Sequence, residues 1–191
     1  MKPSVEAPTD ARKRLAYLAR YEFEDGKAYR GGVLVVDDSG TPREFRCTSP
    51  VRPNGTQRIL YGDNLDPFML LELMGKPLLQ ALRESLDIVL VNDRWLLNLR
   101  EQMDKPIVFL RPQGAEVIQE STNDQEAPAI IQPFSDEFEP VVVQSFPGQA
   151  EDLAFARPLL QECSARIDIL EPFQRIGKAL AKVHEEKVQD K

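Results

Sequence analysis

Four arginines occur close together in the sequence, where they could bind an anion. Arg43, Arg46, Arg52 and Arg58 follow one another over a predicted strand and the loop after it, with Asn54-Gly55 between them. Guanidinium groups bind phosphate or carboxylate through paired N–H donors, and loop glycines let the backbone approach an anion closely. The pattern predicts a site for an acidic ligand or a nucleic-acid backbone. Alternatively, the first two arginines are exposed charges that protect an edge strand from aggregation.

His184 is the only histidine of the chain, so any Ser-His-Asp or Cys-His mechanism would have to use it. It lies near the end of the last predicted helix, where a positive side chain also interacts favourably with the helix dipole. Together with Cys47 and Cys163 it gives only three candidate zinc ligands, and structural zinc usually needs four. Two widely separated cysteines indicate free thiols in a reducing compartment, so we expect a cytoplasmic protein.

Two polar segments contain apolar residues that could contact a partner. They are Ile59-Leu60-Tyr61-Gly62 and Ile130-Ile131-Gln132-Pro133-Phe134. Exposed aromatic and aliphatic side chains in polar surroundings are typical of binding surfaces. We therefore predict partner contacts for Tyr61, Ile130, Ile131 and Phe134. The alternative is that these residues pack onto the protein's own core.

The net charge of −7 and the pI near 4.9 argue against a general nucleic-acid coat protein, because such binding depends on clustered Lys and Arg. A nucleic-acid contact through the local arginine patch is still compatible with the sequence. The longest apolar stretches are far shorter than the roughly 20 residues that span a bilayer, and the N-terminus has no signal-peptide core. We expect a soluble intracellular protein without a membrane contact.

The first half of the chain predicts seven elements. Three alternating or apolar runs between Tyr17 and Thr48, separated by turn residues, predict an antiparallel meander. Between Asp66 and Leu110 the pattern predicts helix, strand, helix and strand, with Asp93 as the cap of the second helix. Gly75-Lys76-Pro77 predicts a kink in the first of these helices. The segment Pro50–Asn64 before it is predicted to be a loop.

Composition divides the chain into four parts. Residues 1–13 are a predicted flexible tail, 14–112 a mixed α/β domain, 113–136 a polar linker or long loop, and 137–191 a smaller αβ part. In the last part the pattern predicts, in order, strand Val141–Phe146, helix Gln149–Ala165, the brief strand Ile167–Leu170 and a helix from Pro172 to about Lys187.

The order of elements from Tyr17 to Leu110 resembles the ribonuclease-H-like superfold, at the level of topology. The resemblance implies an α/β fold with one mixed sheet, in which the meander precedes αβαβ and a small αβ part follows. Enzymes of that superfold carry carboxylates on the first strand, in the first helix and at the end of the fourth strand, where they hold two divalent metals. The matching positions here are Glu22 or Glu24, Glu72 and Asp93.

Two functional hypotheses follow. The leading one is a binding or assembly subunit without its own catalysis, possibly within a larger protein or nucleoprotein complex, with a protein partner and no cofactor or metal. The alternative is a divalent-metal-dependent nuclease or phosphodiesterase of ribonuclease-H-like type, in which Glu22 or Glu24, Glu72 and Asp93 are catalytic and bind Mg²⁺ or Mn²⁺. The two hypotheses differ in whether these carboxylates lie close enough together to share metal ions.

Overall fold

One mixed sheet of seven strands joins the N-terminal and C-terminal parts of the chain. We describe it from a computed structural model, of which residues 12–115 and 127–189 are described here. The strands are β1 (Arg14–Phe23), β2 (Ala28–Asp37), β3 (Pro42–Cys47), β4 (Ile88–Val91), β5 (Ile107–Pro112), β6 (Ala129–Ile131) and β7 (Val141–Ser145). Their spatial order is β3-β2-β1-β4-β5-β7-β6.

Four of the six neighbouring strand pairs in the sheet are antiparallel, and two are parallel. The first three strands form the predicted antiparallel meander, and β1, β4 and β5 are parallel neighbours, with Leu18 of β1 opposite Val91 of β4. Strand β7 then pairs antiparallel with β5, and β6 pairs antiparallel with β7. The predicted mixed α/β fold is confirmed. Because β1 and β4 are parallel neighbours, their carboxyl ends lie next to each other at the same end of the sheet.

The helices flank both faces of this sheet. They are α1 (Gly55–Tyr61), α2 (Leu65–Phe68), α3 (Lys76–Gln80), α4 (Ala150–Cys163) and α5 (Glu171–Gln189). A 3₁₀ turn, Gly62–Asn64, precedes α2, a π-helical turn, Met69–Gly75, joins α2 to α3, and a 3₁₀ helix, Arg94–Gln102, follows β4. The predicted kink near Gly75 therefore takes the form of a π-helical turn.

Apolar side chains form a core on each face. Leu15 and Tyr17 of β1 face one core, which α4 and α5 cover. Ala16 and Leu18 face the other, which contains the π turn, α3 and the 3₁₀ helix. Strand β1 is thus buried on both faces up to Ala19, whereas its alternating sequence pattern predicts one covered face. Two helix layers together exclude water from the centre of the sheet.

Two predictions of local structure are wrong. The predicted loop Pro50–Asn64 contains α1, because Asn54 and Gln57 form a reciprocal capping box at its start, which satisfies amides that would otherwise lack partners. The predicted strand Ile167–Leu170 is a turn between α4 and α5. Its apolar pattern reflects burial of Ile169, while the side chain of Asp168 accepts from the Leu170 amide.

Parts of the predicted linker and tail lie outside the described residues, namely 116–126 and 1–11. Within the predicted linker range, β6 is hydrogen-bonded to β7 and Ile131 is fully buried. In the ranges that the structure describes, no helix is long and apolar enough to cross a membrane. Both cysteines are free, and burial raises the pKa of Cys163 to about 11, so this thiol stays protonated at neutral pH.

Candidate functional site

The carboxylates suggested by the resemblance lie in three separate places. Glu22 lies near the end of β1, with its carboxylate against Gly26, and Glu24 lies in the turn after β1 and pairs with Arg52. Glu72 is exposed in the π turn and pairs with Lys76 at 3.5 Å. Asp93 follows β4, and its side chain accepts from the Trp95 amide as the predicted helix cap. The four side chains are not brought together.

Arg20, and not a glutamate, is the β1 residue that lies level with Asp93. The parallel register places Leu18 opposite Val91. Arg20 and Asp93, each two positions further along the chain, therefore lie side by side at the carboxyl ends of β1 and β4. The Arg20 Nη1 donates to Asp66 Oδ1 at 3.1 Å, and its Nη2 lies 3.8 Å from Asp93 Oδ2. The charged side chain that directly follows the apolar run Leu15–Ala19 is the signal that sequence reasoning missed here.

An aromatic ring supports the guanidinium of Arg20. The Cζ atom of Arg20 lies 5.4 Å from the ring centroid of Tyr29 on the neighbouring strand β2, within the range of a cation–π contact. The side chain of Arg20 remains 23% exposed. Arg20 is therefore held in position by the ring and by two carboxylates, yet it is still accessible from solvent.

Exposed apolar side chains lie close in sequence to Asp66 and Asp93, the two carboxylate partners of this arginine. Helix α1 has no buried residue, and its Ile59 and Leu60 are 83% and 76% exposed. Tyr61 stacks against Phe68, two residues beyond Asp66, with ring centroids 4.8 Å apart. Trp95 is half-exposed beside Asp93. We call the group Arg20, Ile59, Leu60, Tyr61 and Trp95 the Arg20 surface.

The four arginines of the predicted anion site are distributed over β3, the following loop and α1. Arg43 donates to Asp37 at 2.6 Å and Arg46 to Glu44. Arg52 makes two contacts with Glu24, and Arg58 donates to the backbone oxygen of Gly26. The last two thus meet at the β1–β2 turn, while Arg43 is at the opposite end of β3.

A buried arginine, Arg30, determines which ring nitrogen of His184 accepts a hydrogen bond and which one donates. Arg30 is fully buried, and its Nε donates to His184 Nδ1 at 3.1 Å. Since a guanidinium only donates, Nδ1 accepts and the proton of the neutral ring resides on Nε2, 3.0 Å from Glu24 Oε1. The hydrogen bond from Arg52 lowers the pKa of Glu24, to which His184 also contributes. His184 therefore links α5 to the β1–β2 turn.

The predicted partner residues differ in exposure. Phe134 is 74% exposed and Ile130 and Tyr61 are partly exposed, whereas Ile131 is completely buried in the core behind β6. Phe134 and Ile130 lie at the β6 end of the sheet. They are separated from the Arg20 surface by the width of the sheet, since β6 is the outermost strand beyond β7, β5 and β4.

The donor set does not fit a pair of divalent metals shared by these carboxylates. The Arg20 guanidinium contacts both Asp66 and Asp93, Lys76 pairs with Glu72, and Arg52 pairs with Glu24. In residues 12–115 and 127–186 no three His, Cys, Asp or Glu side chains converge to hold a metal ion.

The sheet topology defines the fold class of the protein. An antiparallel meander followed by parallel strands in one mixed sheet, with helices on both faces, is the ribonuclease-H-like α/β fold that the sequence resembles.

Solved structures of similar fold are endonuclease V proteins. The human ENDOV structure matches with a TM-score of 0.61 and 14% identity, over 94% of this chain and 87% of that chain. The Bacillus subtilis protein matches with a TM-score of 0.57 and 12% identity, over 92% and 83%. The Ciona intestinalis protein, in complex with a 24mer DNA that contains an inosine followed by a ribo-adenosine, matches with a TM-score of 0.55 and 11% identity, over 92% and 88%. No family model and no curated protein matches the sequence.

These comparisons correct three predictions. The leading functional prediction, a binding or assembly subunit without its own catalysis, is contradicted because the similar structures are of endonucleases. The prediction of protein–protein interaction as the main role is contradicted for the same reason. The expectation of no cofactor, which depended on that leading hypothesis, is contradicted as well. The comparisons favour the alternative hypothesis, a nuclease or phosphodiesterase.

Proposed function

We propose that this protein acts on nucleic acid and binds a DNA or RNA strand at the Arg20 surface. The observation that carries the proposal is the similarity to endonuclease V structures over more than nine-tenths of the chain. One of these relatives is in complex with DNA, which supports a nucleic-acid partner for the fold. The identities are low, so the proposal depends on the fold together with the surface chemistry of this chain.

The composition of the Arg20 surface supports strand binding. Aromatic side chains stack on bases without sequence preference, and Tyr61 and Trp95 are both partly exposed. Arginine supplies the charge that pairs with phosphate. Ile59 and Leu60 have no packing role in the protein, because α1 buries none of its residues. The apolar and aromatic side chains can contact the bases of a strand, while the guanidinium beside them contacts a phosphate.

Cleavage of the bound strand is a second candidate function, favoured by the endonuclease neighbours. In the alternative hypothesis the cofactor is Mg²⁺ or Mn²⁺. The described carboxylates do not fit a shared metal pair, so binding of the strand and its cleavage are separate proposals. Binding and cleavage are therefore measured separately, each with Mg²⁺, with Mn²⁺ and with EDTA.

The variant Ile59→Ser/Leu60→Ser is expected to bind nucleic acid about tenfold more weakly than the wild type, since each CH₂ group that a bound strand covers contributes about 0.8 kcal/mol. Both side chains are exposed, so the thermal stability of the protein should not fall. The measurement is fluorescence polarisation with labelled 24mer single-stranded and duplex DNA and RNA, with and without inosine. Denaturing gels of the same samples detect cleavage.

Phe155→Ser is the matched control, because Phe155 is a partly exposed apolar residue of α4. It should leave the affinity unchanged. If the wild type binds none of the probes, the proposed function is wrong. Equal losses in the control and in the double variant would place the binding surface elsewhere. Binding without cleavage in any divalent metal would contradict only the second candidate function.

A further inference from the structure

Arg20 occupies a position of β1 where the strand leaves the core. The residues before it, from Leu15 to Ala19, are fully buried, and Arg20 is the first charged side chain after them. It lies opposite Gly31 of β2, so no side chain from that neighbour covers it on the sheet. The backbone of a central strand fixes its Cα, and the Tyr29 ring restricts its guanidinium.

The contacts of Arg20 leave part of its donor capacity unused. A guanidinium carries five N–H donors, and the hydrogen bond to Asp66 uses one of them. The 3.8 Å separation between Nη2 and Asp93 is an ion pair but is too long for a direct hydrogen bond. A further acceptor with two oxygens can therefore pair with this group.

We infer that Arg20 contacts a phosphate of the bound nucleic acid, and that Asp66 is the carboxylate it releases to do so. This inference rests on the proposed function. Asp66 is 60% exposed, and an ion pair in such a position is weak because water and salt screen it. A phosphate that accepts two hydrogen bonds from one guanidinium is a stronger partner.

The two aspartates then have different roles. Asp93 is held as the cap of the 3₁₀ helix through the Trp95 amide, and with Tyr29 it positions the guanidinium. Asp66 lies in the first turn of the short helix α2 and its side chain is 60% exposed, so its interaction with the helix dipole is weak. Asp66 therefore competes with the phosphate for Arg20. Removing its charge should strengthen binding, and this effect should depend on Arg20.

The test compares four proteins by fluorescence polarisation over a range of salt concentrations, in EDTA and in Mg²⁺. They are the wild type, Arg20→Gln, Asp66→Asn and the double variant. Arg20→Gln is expected to weaken binding about tenfold and to reduce the slope of log affinity against log salt by about one. Asp66→Asn is expected to tighten binding about threefold in the wild-type background, and to have no effect in the Arg20→Gln background.

Asp63→Asn is the matched control for charge, because Asp63 is an exposed carboxylate in the adjacent 3₁₀ turn. Its effect should be the same with and without Arg20. Arg20→Lys keeps the charge but not the planar pair of donors, so it should retain the salt slope while losing affinity. If circular dichroism shows that Arg20→Gln does not fold, Arg20→Lys replaces it in the test.

Three outcomes would overturn the inference. Unchanged affinity and salt slope in Arg20→Gln would do so while the proposed function stands. An Asp66→Asn effect that persists without Arg20 would show a general charge effect instead of competition. If the wild type binds no nucleic acid at all, the proposed function fails and this inference fails with it.

Discussion

Replacing Asp37 by alanine is expected to lower the free energy of unfolding by about 3 kcal/mol. This side chain is fully buried at the end of β2. It accepts hydrogen bonds from the Ser39 and Thr41 amides at 3.0 Å and from the Ser39 hydroxyl at 2.6 Å. It also accepts from Arg43 at 2.6 Å and from Arg12 at 3.2 Å. One carboxylate thus organises the whole β2–β3 turn, and its loss leaves several donors without their acceptor.

The same contacts make the contribution of Asp37 dependent on pH. Burial by itself raises the pKa of this carboxyl, but the hydrogen bonds from Ser39, Arg43 and Thr41 outweigh it and hold the pKa well below its usual range. Because the pKa is lower in the folded state than in the unfolded chain, the stabilisation is fully present at neutral pH. It is lost as the pH falls below about 4 toward the folded-state pKa.

Chemical denaturation of Asp37→Ala and Asp37→Asn at pH 7 and pH 3 measures both effects. The wild type should lose more stability on acidification than either variant. Asp38→Ala is the control, since the neighbouring Asp38 makes only a 3.5 Å contact with the half-exposed Arg166, and it should cost less than about 1 kcal/mol. Equal losses at positions 37 and 38 would contradict the role assigned to Asp37.

Gly31→Val is expected to destabilise the protein by about 3 kcal/mol, because the helix layer packs directly on this glycine. A Cβ atom at position 31 would lie 2.8 Å from the Cβ of Met74 and 3.0 Å from Leu78 Cδ1. The Cβ of Met74 is attached to the backbone and cannot rotate away. The π turn would therefore have to move off the sheet, which can be measured as a shift in the denaturation midpoint.

Gly114→Val provides the comparison, because among the described residues, apart from its two chain neighbours, no atom lies within 4 Å of a Cβ at Gly114. Its effect should be within about 0.5 kcal/mol. A similar loss in both variants would mean that strand or turn propensity, and not the approach of Met74, sets the cost. Retention of full stability in Gly31→Val would show that the helix layer can shift freely.

The sheet was largely predictable because its strands have strong local signals. The run Gly32–Val36 is apolar at every position and is fully covered in β2. The pair Gly31-Gly32 in the sequence is typical of a bulge or a close strand contact, whereas in the structure the side chains that pack on these glycines are Met74 on one and Ile176 of α5 on the other. Asp93 was recognisable as a cap because an aspartate directly before a helical pattern satisfies free amides.

The candidate site was less predictable because it depends on contacts between distant segments. Arg20 meets Asp66 across 46 residues, and no local pattern links the two. Helix α1 was missed because Asn54-Gly55 is also a turn signal, and only the Gln57 of the capping box distinguishes the two structures. Asp93 lies where the topology predicts it, but Glu22 and Glu24 lie two and four residues beyond Arg20, the β1 residue that is level with Asp93.

Helix α5 covers strands that are made very early in synthesis. The hydroxyl of Tyr21 in β1 donates to the backbone oxygen of Phe173, 152 residues later in the chain, and Ile176 and Leu180 close the same face. At a translation rate of 5–20 residues per second, that face stays uncovered for roughly 8 to 30 s. Such long-range pairing also slows folding itself. The nascent chain therefore presents an apolar sheet face that chaperones can bind, and rapid overexpression should favour aggregation over folding.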